Sequence, residues 1–328
     1  MENTVATLPL NPRHADKIGF FSLFAYTQFM SEASAMKSVF AINELNISSQ
    51  SSSRSVLLTG LSFLKQEPSH FWYDLEVEKD SITCFLNHLF EIGKVSSVRE
   101  AVKHCECLKI QYRAIASLHK TKKSLVSQSG VSECCGTVIQ EKEIVTLLSA
   151  PLEYPEVFPE ITPLWALSEV TTACNKLVGQ RLLLSRMGER AFSFTTPEGE
   201  VFPLDTDVVW MFFPSLLKDK HNLNLKHLIS GASTVRQVAL LLMLSNWFMC
   251  DSIGKVTFLP RVDFSPIAKV TTLKSAVERF GPHVVLNALM WSATSGTKEV
   301  ILSGSLFPRV KKEFVSPCVN IDRKDFLV

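Results

Sequence analysis

The residues whose type and spacing best suit a chemical role form one basic segment. Between Cys107 and Ser132 the chain carries five positive side chains and no acidic one. They are Lys109, Arg113, Lys120, Lys122 and Lys123. If residues 108–118 form a strand, Lys109 and Arg113 share its solvent face, and residues 119–123 extend the positive surface into a loop. Such a row of cations can neutralise nucleic-acid phosphates, so we predict these five residues as a nucleic-acid-binding site. The alternative is a solvated strand face and turn without a partner.

A second group of residues combines cysteine with histidine. It comprises His104, Cys105, Cys107, Cys134 and Cys135, with Cys84 and His88 nearby at helical i, i+4 spacing. Structural zinc sites usually present two ligand pairs, each spaced two to four residues apart. Here one pair is CxC and the other is CC, and adjacent cysteines rarely reach the same ion. We therefore interpret the cysteines as small buried hydrophobic residues and predict neither a metal site nor a cofactor.

Catalysis without a local motif is the remaining chemical possibility. Eight cysteines and eight histidines could place a thiolate beside an imidazole in the folded chain. Asp205 and Asp207 would face the same way on a strand, where they could bind Mg²⁺ or transfer a proton. Capping of a helix beginning at Val208 is the preferred interpretation of the two aspartates. The sequence contains no GxxxxGK[ST], GxGxxG, GxSxG or HExxH motif, so no catalytic residue is predicted.

Composition predicts a globular protein. The chain has 328 residues, 46% of them hydrophobic and 20% charged, which is enough for a large buried core in one or two domains. A net charge of +2 is too small to imply a polyanionic partner by itself. The N-terminal residues lack the pattern of a secretory signal, so free thiols and a cytoplasmic location are expected. The most apolar stretch, residues 238–250, is too short to span a bilayer and predicts a buried helix instead.

The elements that must position these residues suggest an α+β protein with a strand-rich N-terminal half and a mainly helical C-terminal half. We expect an apolar N-terminal arm with a Ser-rich linker (residues 1–53), a mixed strand-rich domain (54–150) and a mainly helical domain (151–328). Phe20, Phe24 and Phe29 make the arm apolar. It must therefore pack on its own body or on a neighbouring copy, which makes a homo-oligomer a candidate assembly.

Periodicity and local motifs predict the individual elements. Strands are expected at 71–78, 108–118, 137–148, 255–259 and 299–302, with a hairpin joining Phe194 to Phe202. Helices are expected at 81–92, 222–230, 233–250, 272–280 and 282–292. A further helical turn is predicted after Ser97, because Ser97 and Glu100 match a capping box, and Thr162 followed by Pro163 predicts another helix start.

The leading hypothesis is therefore a non-catalytic binding or assembly protein, with RNA as a candidate partner, of the nucleocapsid, coat or movement type found in viruses. The alternative is an enzyme with a dispersed Cys/His or Asp active site. A third possibility is an adaptor that recognises only other proteins.

Overall fold

The structure is a computed structural model. It describes residues 1–9, 18–41, 59, 62, 71–72, 79–104, 110–111, 115–116, 138, 140–185, 192–204, 212–247, 253–264 and 272–302. Within those residues, the chain forms fifteen strands and seven α-helices. The prediction of a mixed helix-and-strand fold is confirmed.

The strands form two large sheets and two short pairs. In chain order they are β1 (Glu2–Thr7), β2 (Lys37–Ala41), β3 (Phe71–Trp72), β4 (Val95–His104), β5 (Ile110–Gln111), β6 (Ile115–Ala116), β7 (Gln140–Pro151), β8 (Glu160–Thr162), β9 (Arg181–Leu183), β10 (Phe192–Thr195), β11 (Val201–Leu204), β12 (Leu223–Gly231), β13 (Lys255–Leu259), β14 (Arg261–Phe264) and β15 (Glu299–Leu302).

The helices cover both faces of the larger sheet. They are α1 (Ile18–Ser34), α2 (Lys79–Glu91), α3 (Leu164–Leu177), α4 (Phe213–His221), α5 (Val235–Leu244), α6 (Leu273–Phe280) and α7 (Pro282–Thr294). A 3₁₀ turn at Ala232–Thr234 leads into α5, and another at Ser245–Trp247 follows it.

The larger sheet has six strands in the order β3-β2-β1-β12-β13-β8, and every pairing in it is parallel. Its centre joins segments that are far apart in sequence, since Glu2 of β1 is paired with Leu223 of β12. Parallel strands are normally buried on both faces. Val5 and Ala6 are accordingly fully buried although they point to opposite faces.

Each face of this sheet has its own apolar core. On one face α1, α6 and α7 pack together with β14 and β15, and Phe20, Phe24 and Phe40 meet there edge to face. On the opposite face α2, α3, α4 and α5 share a larger core, which includes Phe212 and Phe258. Residues 1–9 and 18–41 thus pack on the chain's own body. Association of copies through this segment stays a prediction.

The second large sheet has five strands in the order β5-β4-β7-β9-β6. Its main feature is the antiparallel ladder between β4 and β7, which runs from Val95 opposite Ser149 to His104 opposite Gln140. Val95 and Leu147 enter the larger core, so this sheet packs beside the six-stranded one.

Most of the predicted local elements are confirmed. The amphipathic helix at 81–92 is α2, the helices at 272–280 and 282–292 are α6 and α7, and the two short C-terminal strands are β13 and β15. The hairpin is β10–β11, with Phe194 opposite Phe202. The apolar stretch is α5, in which Val238 through Leu244 are all buried. In the part of the chain that the structure describes, no helix has the length and apolarity needed to cross a bilayer.

Two predicted helices are wrong. Residues 222–230 form strand β12, and the turn predicted after Ser97 lies inside strand β4. In both cases pairing with a distant strand outweighs a short local pattern, because a full ladder satisfies more backbone hydrogen bonds than one capped turn. The predicted helix start at Thr162–Pro163 is displaced by one residue, with Pro163 as N-cap and Leu164 as the first helical residue.

Candidate ligand-binding crevice

The parallel sheet contains one point at which its winding reverses direction. From β1 the chain passes through α1 to β2 on one side, and from β12 it passes through α5 to β13 on the other. Because parallel crossovers are right-handed, the two helices lie on opposite faces, as the two separate cores show. The two connections therefore diverge and leave a crevice beyond the carboxyl ends of β1 and β12. Open α/β sheets bind their ligands in such a crevice.

The β1 wall of this crevice is held by side-chain as well as backbone hydrogen bonds. At its end, the Leu8 N–H donates to the Ile229 carbonyl of β12 at 3.2 Å. The Ala41 N–H of β2 donates to the Thr7 hydroxyl at 3.0 Å, and Thr7 is fully buried. The hydroxyl thus continues the β1–β2 ladder one step further, which makes the carboxyl end of β1 rigid.

The β12 wall ends at Gly231, which leaves open space. A Cβ added to Gly231 would meet Ser233 Oγ at 3.9 Å as its nearest neighbour, and the residue has φ −91°. Neither sterics nor backbone conformation therefore requires glycine here. A ligand that approaches the backbone closely would require it. Next to this position the Ser230 and Thr234 hydroxyls hydrogen bond, and Thr234 donates to the Gly231 carbonyl at 2.7 Å.

The helix that follows β12 presents its amino end to the same crevice. Neither Gly231 at the start of the 3₁₀ turn nor Thr234 at the start of α5 caps the helix with its side chain. Uncapped N–H groups and the helix dipole favour an anion at this end. In the first turn of α5, burial lowers the pKa of Arg236. There too, the buried Oε1 of Gln237 has no hydrogen-bond partner among the residues that the structure describes. A ligand donor could satisfy that oxygen.

Comparison with solved structures finds the same fold in three structures of methionyl-tRNA synthetase from Mycobacterium tuberculosis. Bound by methionyl-adenylate, the enzyme matches with a TM-score of 0.65 at 10% identity, over 95% of this chain and 68% of the synthetase chain. A second methionyl-adenylate complex matches with a TM-score of 0.63 at 10% identity, over 96% and 69% of the two chains. The apo form matches with a TM-score of 0.63 at 13% identity, over 95% of this chain and 66% of the synthetase chain. This chain shares the fold of methionyl-tRNA synthetases. No protein-family model matches the sequence, and no curated protein does.

This likeness corrects the leading hypothesis from the sequence. A non-catalytic viral assembly protein is wrong, since the fold found is that of an enzyme, and the alternative of an enzyme is favoured. That hypothesis had counted the absence of local enzyme motifs against an enzyme. A crevice built from strand ends far apart in sequence leaves no contiguous motif to detect.

The site residues predicted from the sequence are not among the residues that the structure describes. Lys109, Arg113, Lys120, Lys122 and Lys123 fall outside the described residues, and their role stays a prediction. The short strands β5 and β6 lie within the predicted strand 108–118. Asp205 and Asp207 also fall outside the described residues.

The described cysteines give no support for thiol chemistry. Cys84 is exposed on α2, and Cys174 is buried in α3. Burial raises the pKa of the Cys174 thiol to about 11, so this cysteine stays protonated and unreactive. Among the residues that the structure describes, no three His, Cys, Asp or Glu side chains converge as metal ligands.

Sequence reasoning missed the crevice itself. The one signal available was the run Ser230-Gly231-Ala232-Ser233-Thr234, small residues placed directly before an apolar helix. Phosphate-binding turns also place glycine between a strand and a helix, although their motifs contain more than the single glycine found here. Because residues 222–230 were predicted to be helical, the glycine was not recognised as the end of a strand.

Proposed function

We propose that this chain is an enzyme of the aminoacyl-tRNA synthetase type, and that it binds an aminoacyl adenylate in the crevice between β1 and β12. The observation that carries the proposal is the open space at Gly231, at the reversal point of the sheet and beside an uncapped helix start. An adenylate carries one phosphate charge, which suits that helix end. Two of the structures with this fold hold methionyl-adenylate, which makes methionine the first amino acid to test.

The direct test is a calorimetric titration of the protein with a non-hydrolysable methionyl-adenylate analogue, which measures the binding affinity. Gly231→Val should weaken binding roughly 10- to 100-fold, because the added side chain would cost about 1–3 kcal/mol in a close-packed complex. The free protein should keep its melting temperature, since an added Cβ has its nearest neighbour at 3.9 Å. Ser193→Val, at an exposed position of hairpin strand β10, is the matched control and should bind as the parent does. Equal binding by Gly231→Val, or no binding by the parent, would overturn the proposal.

RNA is the second substrate that this function requires, and the basic segment supplies a candidate contact. Changing Lys120, Lys122 and Lys123 together to Ala should weaken binding to all tRNA sequences alike, since phosphate contacts carry little sequence information. The slope of log K against log salt should decrease in magnitude by about 2 to 3. Filter binding at several salt concentrations measures both effects.

A control triple variant separates this site from general charge loss. Lys176, Lys220 and Lys274 are exposed, and changing all three to Ala removes the same charge elsewhere. For this control variant, we expect the slope of log K against log salt for RNA binding to be nearly that of the parent. If both triple variants weaken binding equally, the basic segment has no special role, although the adenylate proposal would stand.

A further inference from the structure

The face of the main sheet covered by α1 holds a polar cluster centred on Thr257 of β13. His227 Nε2 of β12 lies 2.8 Å from the Thr257 hydroxyl, and the Thr162 hydroxyl of β8 lies 3.0 Å from it. The Tyr26 side chain of α1 hydrogen bonds to the same Thr257 side chain. These four residues, which we call the Thr257 cluster, tie α1 to three neighbouring strands.

The hydrogen-bonding capacity of the Thr257 hydroxyl is filled when His227 is neutral. A threonine hydroxyl donates one hydrogen bond and accepts two. If Thr257 donates to His227 Nε2, it accepts from the hydroxyls of Tyr26 and Thr162, and each of its bonding positions is used. His227 and Thr257 are 5% and 6% exposed, so water cannot readily replace a lost partner.

The charges around His227 disfavour its protonation. Lys255 lies on β13 in an ion pair with Glu160 of β8, with Nζ 2.8 Å from the carboxylate. On the helices of this face, α1 carries Tyr26 and Glu32 as titratable groups, and α7 carries the exposed His283. Helix α6 adds three exposed charged groups, Lys274, Glu278 and Arg279. Burial and, to a smaller extent, the charge of Lys255 lower the pKa of His227 from 6.5 to about 4, with the charge of Glu160 opposing them. The Glu160 carboxylate, which would favour an imidazolium, is paired with Lys255, and the net effect disfavours protonation of His227.

We propose that the Thr257 cluster is an acid-sensitive latch, which holds α1 on the sheet while His227 is neutral and loosens α1 when His227 takes up a proton. A proton on Nε2 turns this acceptor into a donor. Thr257 must then donate to Tyr26 or Thr162 instead, and the contact that held α1 is rearranged around a buried charge.

The size of the effect follows from the two protonation states. If His227 regains its ordinary pKa of 6.5 when α1 opens, against about 4 when closed, opening should become roughly 30-fold more favourable between pH 7.5 and pH 5. Opening of α1 becomes more favourable as the pH falls, because His227 binds a proton more tightly in the open state than in the closed state.

Hydrogen exchange followed by mass spectrometry on the full chain tests this without any ligand. Protection factors of α1 amides, corrected for intrinsic exchange, should fall roughly 30-fold from pH 7.5 to pH 5 in the parent. Peptides from α3, on the opposite face, should change much less, and this separates local opening from global unfolding. In His227→Gln, the α1 amides should not show this additional loss of protection at pH 5. The exposed His283→Gln control should behave as the parent.

A second variant covers the case in which His227→Gln does not fold. Tyr26→Phe keeps His227 but removes the hydroxyl that joins α1 to Thr257, so α1 should exchange faster already at pH 7.5, by roughly 5- to 10-fold. Equal pH dependence of α1 protection in the parent and His227→Gln would overturn the latch. So would unchanged α1 exchange in Tyr26→Phe. Since neither readout involves the adenylate, failure of the proposed function would leave this result interpretable.

Discussion

Replacing Leu241 with Asp is expected to abolish soluble expression of the folded protein. Leu241 is 4% exposed and lies within the seven consecutive buried residues of α5. The substitution removes a buried leucine side chain and leaves an unpaired carboxylate in the core, for a combined cost on the order of 5 kcal/mol or more. Native proteins are stable by only about 5–15 kcal/mol, so most of that margin is lost. Expression of the soluble fraction and thermal melting measure the outcome.

The same substitution at Leu164 is the matched control. Leu164 is 83% exposed and is the first residue of α3, where a negative charge interacts favourably with the helix dipole. We expect Leu164→Asp to change the free energy of unfolding by no more than about 0.5 kcal/mol. A soluble Leu241→Asp protein with the parent's melting temperature would show that α5 is peripheral.

The second large effect is a loss of stability in mild acid that depends on His227. Burial lowers the pKa of His227 to about 4 in the folded chain, below its ordinary value of 6.5. The unfolded chain therefore binds a proton that the folded chain does not, between these two pH values. The neutral histidine makes its full contribution to the free energy of unfolding above pH 6.5. This contribution decreases as the pH falls toward 4, by a total of about 3 kcal/mol.

Urea unfolding at a series of pH values between 7.5 and 4 measures this contribution. Other groups also lose stability in acid, so the informative quantity is the difference between the parent and His227→Gln at each pH. That difference should shrink or reverse toward pH 4, because glutamine takes up no proton. His283→Gln, which changes an exposed histidine on α7, should follow the parent throughout. Parallel pH curves for the parent and His227→Gln would contradict a neutral buried imidazole.

Local patterns predicted those elements that local interactions determine. The i, i+3, i+4 spacing of Ile82, Phe85 and Leu86 predicted α2, and the polar turn between Phe194 and Phe202 predicted the β10–β11 hairpin. In both, the residues that make contact are close in sequence. The apolar run of α5 likewise predicted burial, since such a segment has no other stable environment.

The error at β12 has a specific structural cause. The pairing register between β1 and β12 shifts between Thr4 and Val5, so that Thr4 faces Leu225 and Val5 faces His227. This irregularity places Leu225 and Leu228 in the same core, although they are three residues apart. A spacing of three is typical of a helix, whereas a regular strand alternates every two residues. Only the partner strand reveals that the segment is extended.

By itself the sequence determined the class of fold and most of the local elements, because helix periodicity, turn residues and apolar runs act over a few positions. Only the tertiary structure decided where a ligand could bind. The crevice requires β1, which ends at Thr7, beside β12, which ends at Gly231, and the Thr257 cluster requires α1 beside β8, β12 and β13. Pairings across more than 200 residues arise from packing the whole chain into one core, and no short segment encodes them.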